Sequence, residues 1–424
     1  MSLTKVSYSM ITGAPVNVLD YGAKADGDAG TGAGTDNSAA FIAAIAAAGI
    51  GGSLFIPAGV FKLGSQVTVP SNFSITGAGP WATILFAPTA FNSDGLIKFN
   101  GSGGPPTSIS NLAIIGQTGG AGASSVGLNM AANGSFGTNL WLAGLKTQVI
   151  IGSTSVFLYN SVIDEGQSGS TGISILYPNT VVGNVQVYNN YIGVSVATQI
   201  SDGGTVMLGE VQCLQCPYIG FSLSASTNVQ INNCSTGSDS ATAFSYAGIA
   251  IESSSNVTIT NFVARLKSQQ TTGSGGIYAH SSDKINISNS QISNFYTGIS
   301  ISGGTEITIT GNSCSDNYNA GISAVGSDRT VISGNNCNTD GSSVGGNSGI
   351  YSYNSSANAL HNITGNMCSQ GGGGVQEIGI FAYVTDNGAS SGFTNITGNL
   401  ARYNSSAQIS TGGKTANIQS TGNF

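Results

Sequence analysis

Hydrophobic and polar positions alternate along this chain in short runs, and the runs return. The stretch Gly248-Ile-Ala-Ile-Glu-Ser-Ser-Ser-Asn-Val-Thr-Ile-Thr-Asn261 is the template: two alternating strands, a small polar turn and a closing asparagine. Its first strand recurs as Gly172-Ile-Ser-Ile, Gly193-Val-Ser-Val, Gly220-Phe-Ser-Leu, Gly276-Ile-Tyr-Ala, Gly298-Ile-Ser-Ile, Gly321-Ile-Ser-Ala, Gly349-Ile-Tyr-Ser and Gly379-Ile-Phe-Ala, in steps of 21 to 30 residues. The second strand keeps pace as Val229-Gln-Ile, Val257-Thr-Ile, Ile285-Asn-Ile, Ile307-Thr-Ile, Thr330-Val-Ile332, Asn362-Ile363 and Asn395-Ile396. A period of two marks strands, and a strand repeat of this length marks a solenoid. Alternation puts Ile249 and Ile251 inside and Ala250 outside, and likewise in each copy. Gly127-Leu-Asn-Met is an earlier anchor, so the pattern implies eleven or twelve coils and a length of roughly 55 Å at ~4.8 Å per coil. Asn233, Asn261, Asn289, Asn312, Asn335, Asn366 and Asn399 follow the second strand, where asparagine tolerates a left-handed turn and stacked amides can bond to one another.

The pattern is different before the coils. Residues 1–17 carry no core signal. Asp36 or Asn37 can cap an Ala-rich helix whose Phe41, Ile42 and Ile45 share a face and which Gly49 ends. Strand-like Gly51–Phe61, Val67–Pro70 and Phe73–Gly79 follow. A solenoid's first coil leaves an open backbone edge, and an amphipathic helix before it makes a lid. The expected organisation is a leader at 1–17, an N-terminal cap of helix and first coils at 18–79, and a parallel β-helix at 80–424.

Composition narrows the function classes. The 424 residues include 63 glycines, charged residues make up only 7%, and the net charge is −7. An acidic chain without a basic stripe does not suit nucleic acid. No stretch approaches the length of a membrane span, and Met1–Met10 lacks the basic and apolar regions of a signal peptide, so use in a cytoplasm or release by another route is expected. Six cysteines are few for a disulfide framework. Cys314, Cys337 and Cys368 each follow a strand isoleucine by five residues and should stack as an interior ladder. No cofactor loop or metal cluster is present, and Cys213-Leu-Gln-Cys216 stands alone without a second pair.

Val18-Leu-Asp-Tyr-Gly-Ala, Thr35-Asp, the Ala-rich helix, Phe55-Ile-Pro-Ala-Gly and Ile75-Thr-Gly-Ala-Gly together resemble the N-terminal signature of the pectate-lyase-like superfamily, which forms right-handed parallel β-helices. The leader Lys5–Asp20 is similar to that of bacteriophage tailspike proteins. That resemblance implies attachment to a phage tail, baseplate or adaptor protein through the N-terminus, a homotrimer, and a virion location after synthesis in the host bacterial cytoplasm.

Catalytic motifs do not complete the likeness. Asn338-Thr-Asp-Gly341 imitates the first polygalacturonase motif, but the Asp-Asp pair, Gly-His-Gly and Arg-Ile-Lys that should follow are missing, and Asp340 is read as a turn aspartate. Stacking supplies another search rule, because outward residues at equal offset in adjacent coils lie ~5 Å apart. One outward ladder reads Ser224, Glu252, His280, Ser302, Val325, Tyr353, Tyr383. Glu252 and His280 should touch, with Asp283 in the next turn, a set able to supply a general acid and base for glycosidic cleavage; the alternative is a solvated surface pair with no function. Asp164 and Glu165, in a Gly/Ser-rich turn, are the runner-up. A second outward ladder reads Ala250, Tyr278, Ser300, Ser323, Tyr351, Phe381. Tyr278, Tyr351, Tyr353, Phe381 and Tyr383 are the candidate carbohydrate-binding residues, an outward aromatic patch that suits sugar rings or a neighbouring subunit. Lys284, Glu306 and Arg329 share one offset as an ion-pair ladder.

Three readings follow. The first is a tailspike that recognises a bacterial surface polysaccharide (O-antigen, capsule or exopolysaccharide), with depolymerase activity, hydrolase or lyase, left open. The second is a non-catalytic adhesin or structural tail component of the same shape. The third is a secreted pectin-degrading enzyme, which the missing motifs and missing signal peptide disfavour. No metal, cofactor, nucleic acid or membrane insertion is expected.

Overall fold

A computed structural model describes residues 14–101, 105–118, 124–198, 203–238, 246–273, 275–338, 340, 348–354, 360–369, 376–384, 393–404, 407–411 and 418–424. Residues 1–13, most of the leader, lie outside the described residues. The architecture is an all-β solenoid of parallel strand ladders, with one α-helix among the described residues, Ser38–Ala48. The chain divides into two compact units between Ala197 and Thr198.

In the first unit, strands Val67–Pro70, Ile97–Gly101, Val126–Ala132, Thr147–Ile151, Thr171–Ile175 and Ile192–Val196 pair in that order into one parallel face. A second face runs from Ser108–Gly116 through Phe136–Ala143 and Phe157–Asp164 to Thr180–Tyr188. The helix buries Phe41, Ala44 and Ile45, and Phe41 meets Phe61 edge-on at 5.9 Å. Ile42 lies off that stripe and is 48% exposed. Asn37 is the N-cap residue by position, but the capping chemistry comes from Asp36, whose Oδ1 accepts the Ser38 N–H at 3.0 Å and the Ser38 hydroxyl at 2.6 Å.

In the second unit each full coil holds three strands, where alternation in the sequence marks only two. One coil comprises Ala247–Glu252, Ser255–Thr260 and Val263–Leu266, and the next Gly275–His280, Asp283–Ser288 and Gln291–Ser293. The third strands are four residues or fewer, too short to show a period. Register stacks like on like: Ile249, Ile277, Ile299, Ile322, Ile350 and Ile380 form one fully buried column. The anchor glycine before each isoleucine is required by close approach. A Cβ on Gly276 would stand 2.2 Å from the Ile292 Cγ2, and one on Gly321 2.4 Å from the Asp340 Oδ2. Cys314, Cys337 and Cys368 pair in register, buried and free of disulfides.

The asparagines separate into two sets, one residue apart. Asn233, Asn261 and Asn289 adopt left-handed φ near +52° on the surface, and glycine takes that conformation at 311, 334, 365, 398 and 422. The residue after it points inward. There Asn312, Asn335, Asn366, Asn399 and Asn423 form an amide ladder, each Oδ1 (335 onward) accepting the backbone and side-chain N–H of the asparagine one coil earlier at 2.9–3.0 Å. Each of those amides also donates to a strand carbonyl, so buried polar groups are satisfied inside the coil.

Asp340 is not a turn aspartate at the surface. It is fully buried in a second interior ladder, Asn317–Asp340–Gln376–Asn404. A turn motif read in one dimension does not show which corner points inward. His361 is likewise buried, at a register position where neighbouring coils carry Thr330 and Thr394. Its Nδ1 lies 2.6 Å from the Ser352 Oγ and its Nε2 2.9 Å from the Ser327 carbonyl, and burial depresses its pKa.

Candidate functional site

The strands that begin at the anchor glycines present one outer face of the second unit. Strand pairing sets Tyr278 beside Ser300, Ser300 beside Ser323, Ser323 beside Tyr351, and Tyr351 beside Phe381. It also sets Glu252 beside His280 and Tyr353 beside Tyr383. Two rungs of small side chains therefore lie between aromatic ends, about 14 Å from Tyr278 to Tyr351 at ~4.8 Å per rung.

At one end the rings stack in near-parallel pairs: Tyr351 on Phe381 at 5.4 Å and 2°, Tyr353 on Tyr383 at 5.5 Å and 5°. Each ring is half-buried, and aromatic pairs of this kind are rigid and bring little conformational entropy to lose on binding. At the other end Tyr218, Tyr246 and Tyr278 form a cluster, with Tyr218 and Tyr246 5.6 Å apart and Tyr246 and Tyr278 5.7 Å apart. The cluster covers Ala250, which faces outward as alternation requires and yet is only 2% exposed. Sequence reasoning missed Tyr218 and Tyr246, because each precedes its anchor glycine and lies outside the repeated phrase. Their shared position, two residues before the glycine, was the available signal.

Glu252 belongs to this cluster. Its Oε1 accepts the Tyr246 hydroxyl at 2.6 Å, and burial together with that carboxylate holds the Tyr246 phenol far above its usual range. Burial and the Glu252 charge also raise Tyr278. His280 is exposed and lies parallel to the Tyr278 ring at 6.3 Å. Asp283 turns toward the next coil, where its Oδ1 accepts the Thr305 N–H at 2.8 Å. Glu252, His280 and Asp283 occupy neighbouring positions, but no hydrogen bond or ion pair among the described residues joins them. Glu306 and Arg329 do pair, at 3.0 Å on an exposed surface where such pairs contribute little.

The runner-up carboxylates lie in the first unit. The Asp164 Oδ1 accepts the Glu165 N–H at 2.7 Å and the Asn189 amide at 3.2 Å. Glu165 lines a cleft of about 660 Å³ whose walls include Trp141, Gln117 and Gln167. Among the described residues no group of three or more His, Cys, Asp or Glu is placed to hold a metal ion, and no helix is long and apolar enough to cross a membrane.

Comparison with known proteins fits these features to a class. Residues 247–424 match the right handed beta helix region, which supplies the handedness of the coil. Residues 15–239 match the family described as rhamnogalacturonase A/epimerase, pectate lyase-like. That match spans more than half of the chain, and the chain belongs to this family. No curated protein matches it. Among solved structures it is similar to the catalytic unit of a thermostable GH87 α-1,3-glucanase from Streptomyces thermodiastaticus, at 15% identity and TM-score 0.59 over 96% of this chain and 70% of that one. It is also similar to the mannuronan C-5 epimerase AlgE4 A-module of Azotobacter vinelandii, at 14% identity and TM-score 0.51 over 96% of this chain and 100% of that one. A third similar structure is the Streptococcus pneumoniae surface adhesin PfbA, at 16% identity and TM-score 0.52 over 76% of this chain and 97% of that one. At these identities the likeness is one of fold, a fold used both by carbohydrate-active enzymes and by an adhesin.

Proposed function

We propose that this chain is a phage tailspike-type receptor-binding protein, and that the outer face of residues 198–424 binds a bacterial surface polysaccharide. The observation that carries the reading is the pair of in-register stacks, Tyr351 on Phe381 and Tyr353 on Tyr383, separated from the Tyr278 cluster by two rungs of small side chains. Flat apolar rings at both ends suit pyranose rings, and between them the part-exposed Ser300 offers a hydroxyl partner while the buried Ser323 keeps the rung small. The resemblance of the leader to tailspike leaders supports attachment to a tail or baseplate protein through residues 1–17 and assembly as a homotrimer.

Recognition without cleavage is the form of this reading that the site favours, because Glu252 is engaged by the Tyr246 hydroxyl and Asp283 by the Thr305 N–H, and no hydrogen bond or ion pair among the described residues joins either to His280. The depolymerase alternative rests on the Tyr246–Glu252 pair, a carboxylate and a phenol within proton-transfer distance. Incubation with envelope polysaccharide of a candidate host separates the two: retention on the polysaccharide without new reducing ends or unsaturated uronates is the expected outcome. Tyr351→Ser combined with Phe381→Ser is expected to weaken retention at least about tenfold. Retention unchanged in that variant, or no retention on surface polysaccharide at all, would overturn the proposal, and a monomer by light scattering would overturn its trimeric part.

A further inference from the structure

The chain has two tryptophans, Trp81 and Trp141, and both stand at one place in the first unit. They are sixty residues apart in sequence, yet their ring centroids lie 4.3 Å apart with planes inclined by 31°. Trp81 is 76% exposed, a large apolar ring left in solvent that contributes little to the core. Trp141 lines the 660 Å³ cleft, and Trp81 does not line it but packs on Trp141, so the exposed ring is continuous with a built concavity rather than isolated.

Glycine lines that concavity where its rungs pack most closely. Gly116 and Gly144 occupy the same corner on successive rungs, and a Cβ on Gly116 would stand 2.1 Å from the Gly144 carbonyl oxygen. The next rung carries Glu165 at that corner, its carbonyl accepting the Gly144 N–H at 2.9 Å. Glu165 holds a φ of +43°, while Gly144 before it and Asn189 after it are the residue types that this left-handed conformation favours. The position thus keeps an exposed glutamate against its backbone preference at the wall of the cleft. No ion pair joins it among the described residues, and the Lys146 ammonium donates to the Ser168 carbonyl at 2.8 Å. Gln117 and Gln167 add amides to the lining.

We infer that this cleft is a second carbohydrate site, selective for neutral or cationic pyranoside chains, hexose or hexosamine, over uronates. The sugar's apolar face stacks on the indoles, and Glu165 accepts from its hydroxyl or ammonium groups and repels a carboxylate. The inference goes beyond the proposed face on residues 198–424 but rests on the same reading that the protein binds polysaccharide.

Because one tryptophan lines the cleft and the other packs on it, tryptophan emission reports on binding there. The whole chain is titrated with hexamers of N-acetylglucosamine, glucosamine and galacturonate. The expected result is a saturable change with the first two and binding at least about tenfold weaker with galacturonate. Trp81→Ala, a substitution at an exposed ring that the fold tolerates, is expected to weaken binding at least about tenfold, and Glu165→Gln to narrow the gap between glucosamine and galacturonate. No saturable change with any hexamer, equal binding of galacturonate, or unaltered binding by Trp81→Ala overturns the inference. If the titration fails while intact polysaccharide still binds in a manner dependent on Tyr351 and Phe381, the cleft assignment falls and the proposed function stands. If binding of every kind is absent, the proposed function falls.

Discussion

Asp340 gives the sharpest test of how the interior is built. Its Oδ1 accepts the Asn317 N–H at 3.0 Å and the Asn317 amide at 2.8 Å, while its Oδ2 is buried without a hydrogen-bond partner. Burial outweighs those two bonds and pushes the carboxyl from its ordinary 3.8 up to about 8. The folded protein therefore binds this proton more tightly than the unfolded chain does. The contribution of Asp340 to stability is fully present below about pH 4 and is lost as pH rises toward 8. At pH 7 the unfolded aspartate is ionised and folding must protonate it, which costs about 1.4 kcal/mol for each unit between 3.8 and 7, or about 4 kcal/mol. Asparagine is neutral, of the same shape, and already the residue used at other rungs: the Asn317 and Asn404 amides each donate to a strand carbonyl, at 3.4 and 3.3 Å. Asp340→Asn is expected to raise stability by about 4 kcal/mol at pH 7, with the difference closing as pH falls to 4. Urea unfolding midpoints of both proteins from pH 4 to 8.5, at constant m-value, measure this directly. A variant no more stable than the parent at pH 7, or a difference that does not shrink on acidification, would refute the burial argument.

Other consequences of the interior are as direct. Asn335 makes four buried side-chain hydrogen bonds, so Asn335→Ala is expected to cost about 4 kcal/mol, at roughly 1 kcal/mol each. The exposed Asn261 makes one amide bond and holds a left-handed turn, so Asn261→Ala is expected to cost only about 1–2 kcal/mol in the same urea titration. His361 is depressed by burial, so its contribution is present above the ordinary histidine range and is lost as pH falls below about 6.5. His361→Thr, matching Thr330 and Thr394 at the same register, is expected to flatten the fall in melting temperature between pH 6.5 and 5.

The repeat was legible because it is a local pattern. Alternation in Gly248–Asn261 and its copies fixes which isoleucines point inward, and parallel stacking then follows. The pairing of Tyr351 with Phe381 and Tyr353 with Tyr383 was legible for the same reason, since equal offset from an anchor glycine becomes lateral adjacency. The third strand of each coil was not, because three or four residues cannot display a period. The separation of the asparagines into a surface turn and a buried ladder was also hidden. It depends on a one-residue difference, Thr310-Gly311-Asn312 against Ser288-Asn289-Ser290, which only side-chain direction reveals.

The sequence by itself determined the solenoid, its inward columns, its cysteine ladder and the outward order of aromatic rungs, all set by spacing along the chain. Only the tertiary structure decided where side chains turn once the coil is closed. It placed Asp340 and His361 inside, turned Glu252 to Tyr246 rather than His280, and brought Trp81 against Trp141 beside Glu165. The physical reason is common to all of these: the repeat sets which residues share a rung, but a side chain that departs from its column takes its direction and partners from whatever packs against it in neighbouring coils.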